Sequence, residues 1–257
     1  MNEVIRQLAA RRSVRAFEDR DIPGEVRAAI LEAAAQAPTA GNQQLYTILD
    51  VTDPQLKARL AETCDHQPFI AQAPMVLIFL ADVCKWLDAY REAGCEPRAP
   101  GAGDVMLAAS DAAIAAQNAV TAAWSLGVGS CYIGDVMERC EEHREMLNLP
   151  PHVFPAAMLV LGYPTEQQAR RPKPERFNMA DIVCENVYRR KDGPALREMF
   201  AGRCGARGYD AWMDAFCRRK YDSDFSREMT RSVEAYLRDY GLVRAEDDGE
   251  DGRPGAR

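Results

Sequence analysis

The chain has 257 residues, of which 47% are hydrophobic and 28% charged, a globular mixture with room for a sizeable core in one large domain or two small ones. Its net charge of −7 lacks the basic excess of a general nucleic-acid binder. Five acids within 246–251 against Arg253 and Arg257 put −3 of that charge in residues 246–257, within a Gly-containing tail, 244–257, that reads as disordered. No stretch approaches the roughly eighteen apolar residues of a membrane span, and no signal-peptide pattern opens the chain. The eight cysteines include no C-x-x-C pair, so the expectation is a cytoplasmic protein with reduced thiols, no metal site, and neither nucleic acid nor membrane as partner.

Asn2 caps a short helix with Val4, Ile5 and Leu8 at helical spacing, which runs into Arg11-Arg12-Ser13-Val14-Arg15. Asp21 and Pro23 open a second helix that stops before Pro38. Residues 45–51 read as a strand, and Asp53-Pro54 starts a helix through Leu60. Residues 75–81 are continuously apolar, the pattern of a central strand. Gly101 and Gly103 precede the longest helix, 104–126, whose alanines on nearly every face imply burial with close approach. A short strand at 130–133, a polar helix to Leu147 and an apolar strand at 155–161 follow, the last closed by Gly162-Tyr163-Pro164. Beyond a Pro- and Arg-rich stretch, 170–176, helices are expected near 195–200, 209–220 and 225–240. Few strands separated by long, unequal insertions give α+β rather than a regular βαβ array.

Four segments could carry chemistry, and each has a plain alternative. Three guanidiniums and a hydroxyl within Arg11–Arg15 suit a phosphate dianion, or simply complement a helix dipole. Pro38-Thr39-Ala40-Gly41-Asn42-Gln43-Gln44 offers small and amide residues to a planar ring, or is an ordinary loop. Gly127-Val128-Gly129-Ser130-Cys131-Tyr132-Ile133-Gly134 has the spacing G-x-G-x-x-x-x-G and follows a helix, which excludes a dinucleotide fingerprint but leaves backbone amides to meet a ligand. Lys173 and Arg176, in Arg170-Arg171-Pro172-Lys173-Pro174-Glu175-Arg176, complete a phosphate site from afar or lie on a solvated basic loop. No G-x-S-x-G, Walker A or H-E-x-x-H motif occurs, and no histidine has a sequence-adjacent nucleophile. Phosphate-like sockets without a protein-borne acid–base cluster fit chemistry carried by a cofactor, so no catalytic side chain is assigned.

In this order, RRSVRAF (11–17), APTAGNQQ (37–44), HQPFIAQAP (66–74), GVGSCYIG (127–134), LGYP (161–164) and RPKPERF (171–177) resemble the flavin-dependent nitroreductase family. The likeness covers about residues 1–190 and is to the larger, NADPH-preferring oxygen-insensitive nitroreductase and flavin reductase branch. It implies an α+β fold with a mostly antiparallel central sheet packed by helices, in an intertwined homodimer. It implies tightly bound FMN at the subunit interface, with NADPH or NADH as reductant. By position, Arg11, Arg12, Ser13, Lys173 and Arg176 would hold the FMN phosphate, with Arg15 near the N1/C2-carbonyl side as a cation for the reduced ring. Gln67 and Phe69 would touch the ring, Cys131, Tyr132, Ile133 and Gly134 would line it through backbone contacts near N5, and Thr39, Ala40 and Asn42 would reach it from the partner chain. Arg203, Arg207, Arg218 and Arg219 are candidates for gripping the NADPH 2′-phosphate.

The domain expectation is then 1–190 for the FMN-binding part, 191–243 for a helical extension and 244–257 for the acidic tail. The function expected is ping-pong transfer of hydride from NAD(P)H to a nitroaromatic, quinone or similar planar acceptor. Alternatives are a specialised flavin enzyme, dehalogenase-like or flavin-fragmenting, with 85–103 as its lid, or a flavin-binding redox regulator with little turnover.

Overall fold

Every residue from Met75 to Asp82 is buried, which a strand achieves only with neighbours on both edges and cover on both faces. The structure, a computed structural model, describes residues 2–242; the tail expected at 244–257 lies outside the described residues. In chain order the elements are α1 (Glu3–Ala10), α2 (Gly24–Ala35), β1 (Tyr46–Asp50), α3 (Pro54–Thr63), α4 (Pro68–Gln72), β2 (Met75–Asp82), α5 (Cys84–Glu92) and α6 (Ala102–Ser125). They continue with β3 (Gly129–Ile133), α7 (Cys140–Leu147), β4 (Val153–Gly162), α8 (Glu166–Arg170), α9 (Met179–Ile182), α10 (Gly193–Cys204), α11 (Tyr209–Lys220) and α12 (Asp224–Leu237). The strands form one sheet in the order β1-β2-β4-β3, every pair antiparallel, with Leu77 opposite Leu159 and Cys131 opposite Val160. The α+β architecture and antiparallel sheet expected from the sequence are thus present.

The two-residue period of β2 divides the core. Met75, Leu77 and Phe79 join Leu159 and Leu161 in a cluster with α2 and α6, while Val76, Ile78 and Leu80 join Met158 and Val160 in the other, with α3, α4 and α5. On α6, Ala112, Ala115, Ala116, Ala119 and Ala123 are fully buried, so the helix lies close against the sheet and α2. The helix starts before the expected residue 104 because the Asp104 carboxylate accepts the Gly101 N–H at 2.8 Å, drawing Gly103 into the first turn. The segment proposed as a lid is pinned at its start: α5 buries Leu87, and Lys85 Nζ donates to the Tyr46 carbonyl at 2.6 Å.

Backbone contacts divide the described chain into two compact units, one of residues 172–228 and one of the remainder. The smaller unit holds α9, α10 and α11, and an aromatic row, Phe177, Phe200 and Trp212, with Trp212 stacked on Phe216 at 4.8 Å. Residues 229–242 belong to the larger unit. Arg231 pairs with both carboxylate oxygens of Glu141 at 2.9 Å, holding that carboxyl down to about 2, and Ser232 Oγ accepts from Cys140 N–H and donates to the Met137 carbonyl.

His143 on α7 is fully buried between the Val136 carbonyl, which accepts from Nδ1–H at 2.9 Å, and Thr63 Oγ, 2.8 Å from Nε2. Burial lowers its pKa below the ordinary 6.5, outweighing the opposing hydrogen bond to Val136. Above pH 6.5 folded and unfolded states are both neutral at this residue and its stabilisation is complete. As pH falls through that value the unfolded chain takes up a proton the folded chain refuses, so stability declines by at most about 1.4 kcal/mol per pH unit. Urea unfolding between pH 7.5 and 5.5 checks this: wild type loses stability across the interval, and a His143→Asn variant, weaker at the upper pH, loses less.

Candidate functional site

Residues 13–18 cross the ends of β3 and β4 and are stitched to both. Ser13 bridges Ser130 in parallel, and Val14 N–H donates to the Ser130 carbonyl at 2.9 Å. Glu18 N–H donates to the Tyr163 carbonyl at 2.8 Å, Phe17 bridges Pro164, and Arg15 N–H reaches Gln168 Oε1 on α8 at 3.2 Å. Glycine is required at both crossings. A Cβ on Gly129 would lie 2.6 Å from Val14 Cγ2, and one on Gly162 would lie 2.7 Å from the Phe17 ring. Two of the glycines in the sequence motifs therefore admit the basic segment to the sheet.

That path fixes the arginines. Arg11 ends α1, where its N–H donates to the Gln7 carbonyl at 2.8 Å. The Arg12 guanidinium lies 5.9 Å from the Trp124 ring centroid and donates to the Arg171 carbonyl, while its buried Nε has no protein partner. An orphaned buried N–H on a guanidinium, in a segment that also carries a second arginine and a serine, suits an anionic oxygen. Arg11, Ser13 and Arg15 also surround the Cys131 thiol. Burial pushes that thiol up, and the two arginines with Ser13 pull it the other way. The Tyr132 hydroxyl is pushed up to about 12 by burial, with Arg11 opposing. Arg11, Ser13, Arg15, Cys131 and Tyr132 are thus one cluster, with Ile133 completing β3 and Gly134 turning the chain out of it.

Thr39, Ala40 and Asn42 occupy a separate loop whose hydrogen bonds run to α5 and α6. Asp111, 3% exposed, accepts from Thr39 Oγ–H, from Ala40 N–H at 3.1 Å and from Leu45 N–H at 3.1 Å. Trp86 Nε1–H donates to the Gln43 carbonyl at 2.8 Å. Gln67 caps α4 and donates through Nε2 to the Cys64 carbonyl at 2.9 Å, and Phe69 follows on the same helix, which packs on α3. Lys173 and Arg176 fall in the 172–228 unit, together with Arg203, Arg207, Arg218 and Arg219. There Arg203 lies 3.7 Å from the Phe177 ring centroid and Arg218 pairs with Asp214 at 3.1 Å.

Sequence reasoning missed Asp111, Trp124 and Gln168, which hold these segments. Asp111 did leave a signal, as the one carboxylate in the run Ala108–Ala116 of a helix otherwise built for burial. The arrangement supplies fixed positive charge, a hydroxyl and the backbone of an edge strand. Such groups suit a phosphorylated planar ligand.

Residues 8–163 match the model of the Nitroreductase family. The chain is 32% identical over 239 residues to the FMN reductase [NAD(P)H] of Bacillus subtilis (strain 168), covering 92% of this chain and 91% of the relative. It is 32% identical over 221 residues to the oxygen-insensitive NADPH nitroreductase of Salmonella typhimurium, covering 83% and 89%. Among solved structures, B. megaterium NfrA2 superposes with a TM-score of 0.78 at 29% identity, covering 92% of this chain and 98% of the other. The NADPH:FMN oxidoreductase of Vibrio harveyi, complexed with NAD+, shares the fold at 23% identity and TM-score 0.78, covering 92% and 98%.

The glycine crossing gives a steric prediction. Gly129→Ala must displace Val14 and break its bond to Ser130, costing about 1–3 kcal/mol of stability by overpacking. Gly103→Ala, in a helix with open space around it, is expected to stabilise by about 0.4–1 kcal/mol. Denaturant unfolding of both variants beside wild type checks the contrast; equal effects refute the crossing as the reason for glycine at 129.

Proposed function

The chain belongs to the Nitroreductase family, and from that membership and the geometry of the arginine segment we propose that it is an NAD(P)H-driven oxidoreductase that works through FMN. The observation that carries the reading is the buried, unpartnered Nε of Arg12, in a segment that also carries Arg11 and Ser13. A phosphate dianion satisfies that donor. When bound, FMN would supply the redox chemistry, two-electron transfer between NADPH or NADH and the acceptor in ping-pong alternation.

The chain's own part is binding and electrostatics. Arg15 provides a cation for the ring's electron-rich form, and the backbone of Cys131, Tyr132, Ile133 and Gly134 orients the ring. Gln67 and Phe69 touch the ring from one protomer, and Thr39, Ala40 and Asn42 reach it from the other. The acceptor is a nitroaromatic, quinone or similar planar compound, since the groups on offer select shape more than a particular functional group. A homodimer is supported by apolar side chains left exposed on α1 (Val4, Ile5, Leu8) and α6 (Met106, Leu107, Ile114). Cytoplasmic residence is supported by eight cysteines without a disulfide, and no helix among the described residues is long and apolar enough to cross a membrane.

The absorption spectrum of the purified protein tests the reading. A flavin spectrum that bleaches on anaerobic addition of NADPH or NADH is expected; a colourless protein that stays so with added FMN refutes it. Arg12→Ala, which removes a charge-assisted contact to phosphate, is expected to weaken FMN binding by roughly ten- to a hundredfold while the variant still folds. Equilibrium dialysis against FMN checks the affinity, and circular dichroism the fold.

A further inference from the structure

We infer that Asp111 is a positioning residue for the flavin site, acting through the loop 39–45; the inference rests on the function proposed above and deepens it. Three donors converge on this one buried carboxylate: the Thr39 hydroxyl, Ala40 N–H and Leu45 N–H. The Thr39 oxygen in turn accepts the Gln44 N–H at 2.7 Å, so the hydroxyl proton is committed to Asp111 and its lone pair to the loop. Together these bonds close both ends of the loop onto α6.

The closure is needed because the loop does not hold its shape unaided. Gly41, Asn42 and Gln44 all have left-handed backbone angles, φ +56°, +57° and +49°. Asn tolerates that region, but Gln does so only under constraint. Packing supplies only part of the constraint, through the buried Leu45 side chain. Gln43 and Leu45 line a cavity of about 330 Å³ with Trp86, Tyr90 and Leu107, so beneath the loop there is open volume where a core would be. The Asp111 bonds, the Trp86 N–H to the Gln43 carbonyl and Gln44 Nε2 to the Ala35 carbonyl at 3.3 Å tie the loop to its surroundings. Held at 39–40 on one side and 43–45 on the other, the loop presents Asn42 at its exposed tip. Among the described residues the Asn42 carboxamide makes no hydrogen bond to another side chain, which leaves it for a ligand.

Carboxylate chemistry explains why the residue is Asp. Both oxygens accept, so all three donors are met at once; Asn would turn an N–H toward one of them. A merely structural acid would affect stability. A positioning acid affects how the ring and acceptor are held, and that difference is measurable.

The test uses the holoenzyme with Thr39→Val, Thr39→Ser and Asp111→Asn. Visible circular dichroism of the bound flavin reports the ring's surroundings, and steady-state kinetics with p-benzoquinone separate kcat from KM. Thr39→Val and Asp111→Asn are expected to change the flavin dichroism and lower kcat/KM by about tenfold or more, the scale of one lost hydrogen bond to a charged group. Thr39→Ser, which keeps the hydroxyl, is expected to restore both. If Asp111→Asn does not fold, the Thr39 pair decides alone. A flavin-bound, active wild type whose Thr39→Val variant keeps its dichroism and kcat/KM, or whose Thr39→Ser variant behaves like Val, overturns the inference and leaves the functional reading intact. A wild type that binds no flavin overturns both.

Discussion

Helix α6 can lie against the middle of the sheet only because its inward face is alanine. Each alanine removes little apolar surface, but small side chains bring backbones together and multiply dispersion contacts. Alanine is also the strongest helix former, so 24 residues stay helical without help from a long amphipathic stripe. Once the helix is fixed, the parts of the site that hang from it are fixed too. Asp111 holds the loop at 39–45, Trp124 lies under Arg12, and the turn after Ser125 delivers Gly129 to the edge where Val14 crosses. A larger side chain at Ala112 or Ala116 would push the helix off the sheet and misplace all three.

The same dependence explains what the sequence could and could not disclose. Strand β2 was legible because burial on both faces leaves a continuous apolar run, and α3 because Asp53-Pro54 is a local start signal. The arginine segment was legible as charge but not as geometry, since nothing local says that residues 13–18 cross two strands more than a hundred residues away. Gly129 read as part of a stretch offering backbone amides to a ligand and Gly162 as the close of a strand; their shared reason is an approach between segments distant in sequence. Asp111 was overlooked because a lone acid on a helix is usually solvated. Only the positions of Thr39, Ala40 and Leu45 reveal it as buried and fully used. The attachment of α12 to the larger unit through Arg231 and Ser232 likewise has no local signature.

Net charge illustrates the same gap between composition and site. A chain of formal charge −7 places Arg11, Arg12 and Arg15 within five residues. Several acids elsewhere answer a nearby base, as Asp50 does Arg27 at 2.7 Å and Asp104 does Arg98 at 2.7 Å. The potential a ligand meets is set over a Debye length of about 8 Å at physiological salt, not by the total. A basic pocket on an acidic protein is therefore no paradox, and the acids farther off contribute mainly to solubility.

What the cluster around Arg11 lacks in proton chemistry it has in fixed charge. The Cys131 thiol and the Tyr132 hydroxyl are both raised by burial, so each keeps its proton at neutral pH. His143 has both ring nitrogens occupied within the core, and His152 donates from Nε2 to the Asp239 carbonyl at 2.9 Å. The charged groups that remain are guanidiniums, which do not titrate in the physiological range. Such a site cannot relay protons by its own side chains, but its potential is constant with pH and already oriented before a ligand arrives. That is the environment in which a redox cofactor gains most from its protein: charge that develops on reduction meets positive groups whose placement was settled when the chain folded.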